Sequence, residues 1–299
     1  MESQSVAETI GQVCKIRPAL KSFLKHFEPL LAQRQATAEQ LAPLLAEAGI
    51  SIAAAPGDEP VLQGNVPAGL APFLRLAAVD LLPLLLAEQA VAAHANALQG
   101  LFGQSENDPD LETLVAAMFT EEVDILIALA RKYGLPPDIL GFASDFIVSA
   151  VLRALVANIG DDEFSGWRKG FCPVCGYPPV LAWLGKKPMV KGNEFLADGG
   201  GKKHLHCGMC GANWHFLRGV CPECGTQGQE AMQIYGEENR RHERIDWCEK
   251  CRAYLPLIDL RELADVPDMD AMALCLMHLD LVAAEKNLTP IKPSFWNSF

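Results

Sequence analysis

A chain of 299 residues that is 50% hydrophobic and 21% charged is long enough for two packed domains, and its composition excludes a disordered protein. Its formal charge of −12 offers no surplus of positive charge for a nucleic-acid-binding surface. The two most apolar stretches are interrupted by Pro83, Glu88 and His94 in one and by Asp145 and Arg153 in the other, so both read as core helices rather than membrane spans.

The opening residues, MESQSVAETIGQVCKIRP, show neither a basic leader before an apolar run nor a small-residue cleavage site, and a cytoplasmic location is expected. Ala and Leu at helical spacing predict helices over 7–33, 37–48, 68–104 with a break near Pro83, and 137–158. Between them, DLETLVAAMFTEEVDILIALARKYG predicts a helix capped by Asp110 and stopped by Gly134, with Pro136 and Pro137 just beyond. Residues 1–165 thus form an all-helical domain. They hold nine Lys and Arg against 21 Asp and Glu, which is the whole of the net charge; residues 166–299 hold 16 of each.

At GDDEFSGWRKGFCPVCG the composition changes to aromatics, Gly, Pro and short β-like runs such as PPVLAWL and NWHFL. ADGGGKK reads as a hairpin tip, with glycines supplying positive φ. After the last cysteine pair, DMDAMALCLMHLDLVAAEKNL returns to helical period. The fold class is therefore multidomain α+β: the helical domain, two tandem small β domains of rubredoxin-like or zinc-ribbon-like type over 166–218 and 219–260, and a C-terminal helix and tail over 261–299.

Eight of the ten cysteines lie in four Cys-x-x-Cys pairs: Cys172 and Cys175, Cys207 and Cys210, Cys221 and Cys224, Cys248 and Cys251. In a reducing compartment such pairs read as metal ligands rather than disulfides. Laid over each other, FCPVCGYPPVLAWL…KHLHCGMCGANWHFLR and VCPECGTQGQEAMQIY…RIDWCEKCRAYLPLID give one unit twice: knuckle, strand, turn, strand, knuckle, strand. The 31 residues between Cys175 and Cys207 and the 23 between Cys224 and Cys248 suit a hairpin joining two knuckles. Two knuckles supply four sulfurs in a tetrahedron, so the first two pairs make one site and the last two the other. Spacing alone also allows an interleaved pairing. Two metal ions per chain are implied, and four-sulfur sites accept either iron or zinc.

Each divalent ion with four thiolates carries −2. Residues 168–252 hold 13 Lys and Arg against nine Asp and Glu, so the basic runs GKKPMVKG, GGKKH and NRRHER are expected mainly to offset the two sites. A zinc-ribbon nucleic-acid binder and a thiol-disulfide catalyst are both weaker readings, since no net basic face and no thioredoxin-like βαβ pattern is present. His204, His206 and His215 read as supporting or surface groups, and Cys14 and Cys275 as packed apolar groups. Trp167, Trp183, Trp214 and Trp247 read as packing around the sites. No phosphate loop, nucleophile elbow or His-Glu-x-x-His motif occurs, and no catalytic residue is assigned.

The length, the helical first half and the series CPVCG, HCGMCGANW, CPECG and WCEKCRAYL before a final helix resemble the bacterial formate dehydrogenase accessory protein (FdhE) family over the whole chain. The resemblance implies a cytoplasmic, non-enzymatic assembly factor needed for active respiratory formate dehydrogenase. It implies rubredoxin-like iron at all eight cysteines and binding of the catalytic subunit before its twin-arginine export. No nucleic acid and no membrane insertion are expected, and a homodimer is left open. The alternative is a structural zinc-ribbon protein that binds nucleic acid or protein without redox chemistry.

Overall fold

The computed structural model describes residues 3–52, 57–120, 122–157, 159, 161–185, 201–228, 231–294 and 297. Ser5 opens the first helix, α1 (Val6–Ile16), with a reciprocal capping box: its hydroxyl accepts from the Glu8 amide, and the Glu8 carboxylate accepts from the Ser5 amide at 2.8 Å. Pro18 then imposes one 3-10 turn before α2 (Lys21–Glu47). The sequence pattern places an interruption at 34–36, yet α2 runs through it. Two polar residues there turn inward and find partners: Thr37 donates to Asp80 at 2.9 Å, and Arg34 lies 3.3 Å from Asp270.

Helix α3 (Ala71–Leu85) ends two residues past Pro83, and α4 (Gln89–Ala92) and α5 (Ala95–Gly103) follow. The run expected as one helix over 110–134 is two, α6 (Asp108–Met118) and α7 (Val123–Tyr133). Pro109 in the first turn starts α6 ahead of Asp110, which is therefore not a cap. Asp110 instead accepts from Lys132 and Tyr133, fastening the end of α7 to the start of α6. Gly134 ends α7 as predicted, in the left-handed region at φ +66°. Among the described residues, α8 (Pro137–Val156) is the one helix long and apolar enough to cross a membrane, and most of it is buried in the core.

The second half forms one seven-stranded sheet. Knuckle, β1 (Leu181–Leu184), β2 (Lys203–His206), knuckle and β3 (Asn213–Phe216) make the first ribbon, all antiparallel. The unit repeats with β4 (Met232–Gly236), β5 (Glu243–Cys248) and β6 (Ala253–Asp259). The ribbons join where β1 pairs with β6 in parallel, Ala182 opposite Leu257, giving the order β3-β2-β1-β6-β5-β4, and β7 (Thr289–Pro290) adds to β6. Every residue of β6 is buried, which is why AYLPLID reads as an unbroken run rather than an alternation.

One face of the sheet, with Ala182, Leu205, Trp214, Leu255 and Leu257, belongs to the same core as α2, α3 and α8. The other, with Leu181, Ile245, Tyr254 and Ile258, packs with α1 and the C-terminal helices. The terminal helical period is itself two helices, α9 (Met269–Cys275), capped by the Asp268 carboxylate, and α10 (Met277–Glu285), with Leu276 between them. The hairpin tip expected at 197–203 falls largely on 186–200, outside the described residues.

Candidate metal centres

Each knuckle closes with the same hydrogen bond, from the amide of the residue after its second cysteine to the carbonyl of its first. The bonds run from Gly176 to Cys172 (3.0 Å), Gly211 to Cys207 (2.9 Å), Gly225 to Cys221 (3.0 Å) and Arg252 to Cys248 (2.9 Å). That closure needs positive φ at the donor, +77°, +78° and +68° at the three glycines and +62° at Arg252. The fourth knuckle, CEKCR, thus holds a non-glycine residue in a conformation that disfavours one.

The fold sets the first knuckle against the second and the third against the fourth. Cys172, Cys175, Cys207 and Cys210 form one cluster and Cys221, Cys224, Cys248 and Cys251 another, the sulfurs of each lying within 4.8 Å of one another. Sulfur–sulfur separations are 3.4 Å for Cys172–Cys210 and Cys175–Cys207, 3.6 Å for Cys221–Cys251 and 3.8 Å for Cys224–Cys248. A tetrahedral ion with bonds of about 2.3 Å places its sulfurs about 3.8 Å apart. Both donor sets therefore fit a four-thiolate ion with small adjustments. In the first cluster burial pushes the Cys172 and Cys175 thiols up; Cys207, despite the same burial, is held down by hydrogen bonds from its three companions. In the second, the Thr226 hydroxyl and amide lower Cys224 to about 6. Cys224 thus favours the thiolate before any ion arrives.

The two clusters differ in surroundings. All four cysteines of the first are buried; in the second Cys224 is exposed and Cys251 half-buried. The helical half grips both knuckles of the first cluster. The amides of Val61 and Leu62 donate to Pro173 and Val174 at 2.9 Å, and on the other knuckle Ser149 donates to the Met209 carbonyl at 2.6 Å and Arg153 to the Gly208 carbonyl at 2.7 Å. Arg153 also forms a two-pronged ion pair with Asp270 of α9, at 2.6 and 2.8 Å, and Arg34 reaches the same carboxylate. These two guanidinium groups hold Asp270 well below the usual carboxylate range against the effect of burial.

Among the described residues, Arg34 acts on Cys207 and Arg153 on Cys207 and Cys210, and both come from the helical half. Two described members of the basic runs, Lys203 and Arg244, pair with Asp246 at 2.8 and 3.0 Å. For these two cations the paired counter-charge is a carboxylate on β5 rather than a cluster. Residues 186–192 of the first basic run lie outside the described set.

The three histidines stand outside both clusters. His206 lies between Asp270 (3.2 Å) and Asn213 (3.0 Å), while His204 stacks on Trp183 at 4.0 Å and meets His215 edge-on. Trp167 and Trp214 donate to the carbonyls of Phe171 and Lys169, fixing the approach to the first knuckle. Within that approach Gly170 lies so close to the third knuckle that a Cβ would fall 1.8 Å from the Pro222 carbonyl oxygen. Cys14 and Cys275 are buried in the second core, where burial lifts Cys275 to about 12. Sequence reading missed the Arg34, Arg153, Asp270 and Ser149 group. Its one visible signal is Arg153, a cation inside a mainly apolar stretch.

No family model matches the chain. It is similar to curated proteins described as "Protein FdhE homolog", at 29% identity over 180 residues for that of Aquifex aeolicus, which is 58% of either chain. For that of Proteus mirabilis the identity is 28% over 187 residues, 62% of this chain and 53% of the relative. The chain thus matches about half the length of these relatives. In fold it is similar to the crystal structure of the FdhE protein from Pseudomonas aeruginosa, with a TM-score of 0.59, 17% identity, and coverage of 98% of this chain and 94% of that one.

Proposed function

We propose that this chain, which belongs with the FdhE family in sequence and fold, is an accessory protein for respiratory formate dehydrogenase that binds the catalytic subunit in the cytoplasm before twin-arginine export. The observation that carries the reading is the pairing of two four-cysteine clusters in one sheet, one sealed against the helical half and one open to solvent. Cys172, Cys175, Cys207 and Cys210 are the ligands of the inner ion, and Cys221, Cys224, Cys248 and Cys251 those of the outer. Iron is the ion favoured, and supplies a one-electron couple when bound; zinc supplies none.

The chain's own residues divide the work. Arg153, Arg34 and Ser149 hold the inner cluster's second knuckle against the helices, so the inner site orders the join between residues 1–165 and the first ribbon, 166–218. The second ribbon, 219–260, presents Cys224 and Cys251 at the surface, where a client subunit can reach them. The terminal segment, 261–299, supplies Asp270 to that join and covers the other face of the sheet.

Anaerobic purification followed by metal analysis and absorption spectra before and after dithionite tests the metal assignment. About two irons per chain with thiolate-to-iron bands that bleach on reduction support it; two zincs overturn the iron assignment. Co-purification of the catalytic subunit with the wild type and its loss with Cys224→Ser supports docking through the outer site. Equal capture by both forms refutes it. A second reading, in which both ions are only staples, is favoured by the sealing of the inner cluster and predicts that equal capture.

A further inference from the structure

Between the ribbons, where the segment carrying Arg218 crosses the sheet face of Leu184 and Ile234, lies a cavity of about 280 Å³. Its charged walls are Lys203 of β2, Arg218, Arg244 and Asp246 of β5, and Arg261. We infer that this cavity binds a compact oxyanion of the phosphate class.

The charge layout leads there. Asp246 is already engaged on both oxygens, by Lys203 at 2.8 Å and Arg244 at 3.0 Å. Arg261 is matched by Asp259, which accepts from its Nε at 2.7 Å and from its Nη2. Arg218 donates to the Gly201 carbonyl and forms no ion pair among the described residues. Among the described residues four cations thus meet two paired carboxylates, with Glu262 a third acting on Arg261, which leaves a positive excess in a chain whose formal charge is −12.

Burial, Arg261 and Arg244 push the Arg218 guanidinium toward losing its proton, and Asp259 and Asp246 oppose them only in part. An anion among the three guanidinium groups relieves that repulsion, and their planar forks match tetrahedral oxyanions two oxygens at a time. The volume sits at the small end of ligand cavities, roughly 300–1,000 Å³, so the ligand is an ion or a phosphoryl head rather than a polymer backbone. Lys203, only 3% exposed, gives the site a fixed floor. Ile234, 62% exposed, stands at its mouth.

Calorimetric titration of the full chain with inorganic phosphate, in chloride buffer of matched ionic strength, tests this. Saturable binding of one phosphate per chain is expected, weakened at least tenfold by Arg218→Gln. Ile234→Glu, which changes an exposed side chain and leaves the packing intact, sets a carboxylate at the mouth and is expected to weaken binding similarly. Glycerol phosphate binding at least as tightly identifies a phosphoryl head group; binding of inorganic phosphate alone identifies the free ion. No saturable binding, or equal binding in the wild type and a folded Ile234→Glu variant, overturns the assignment.

Discussion

If the inner cluster is sealed and the outer one open, a chain loaded with two zinc ions will release them to an excess of chromogenic chelator in two phases of equal amplitude. Cys224 is exposed, so the outer ion can be attacked in the folded protein. The inner sulfurs become accessible only after the knuckles part from the helical half. That opening breaks the bonds from Val61, Leu62, Ser149 and Arg153 to the knuckle carbonyls. Three neutral bonds at about 1 kcal/mol each and one from a charged donor at about 2 give roughly 5 kcal/mol. At about 1.4 kcal/mol per tenfold, the slow phase should lag the fast one by three to four orders of magnitude. Cys224→Ser should delete the fast phase and leave the slow one, whereas Arg153→Met should bring the slow phase closer to the fast one. A single rate for both ions, or a fast phase that survives Cys224→Ser, refutes the reasoning.

Asp280, raised to about 6 by burial, accepts from the Tyr254 hydroxyl at 2.6 Å. Its folded form holds a proton longer than the unfolded chain does, so stability should fall as pH rises from about 4 to 6 and then level. Asp280→Asn, which can still accept from Tyr254, should gain up to about 3 kcal/mol over wild type at pH 8 and nothing at pH 3, read by denaturant unfolding at each pH. Arg252 holds positive φ while its guanidinium lies 4.6 Å from the Trp247 ring centroid. Loss of about 1 kcal/mol of cation–π attraction should offset relief of a similar strain in Arg252→Gly, leaving stability within about 1 kcal/mol of wild type. Arg252→Val keeps the strain and adds a β-branch, and should unfold at clearly lower denaturant than Arg252→Gly. Gly170→Ala must push the first knuckle's approach away from Pro222, and should lower the melting temperature and speed release of the outer ion.

The clusters were legible because their signal is local. Two residues between cysteines fix a turn, and a repeated unit fixes which turns face each other. The second repeat even shows where local rules give way, since CEKCR keeps the knuckle with Arg252 where glycine is the easy choice. The helix boundaries were less legible for a reason of the opposite kind. Nothing near Arg34 says that Asp270, more than two hundred residues away, will satisfy it, and without that partner the pattern at 34–36 reads as a break. Asp110 shows the same thing on a smaller scale: its proper partners lie on α7, and only the packed pair of helices reveals them.

The charge around the inner cluster adds one further step. Arg34 and Arg153 share one directly paired carboxylate, Asp270, with Asp268 further off, and the sulfurs of the inner cluster are a further source of negative charge beside them. With four thiolates around a divalent ion the cluster would carry −2 and add to the compensation of the two buried guanidinium groups; with neutral thiols that share of the counter-charge is lost. Ion binding at the inner site is thereby coupled to closing the helical half onto the sheet, since the same two arginines make both contacts. Among the described residues the outer cluster has no such pair of buried cations, and it can exchange or change charge without unfastening the fold. One duplicated unit thus yields two sites of the same ligand chemistry, and the helices packed on the first of them make the difference.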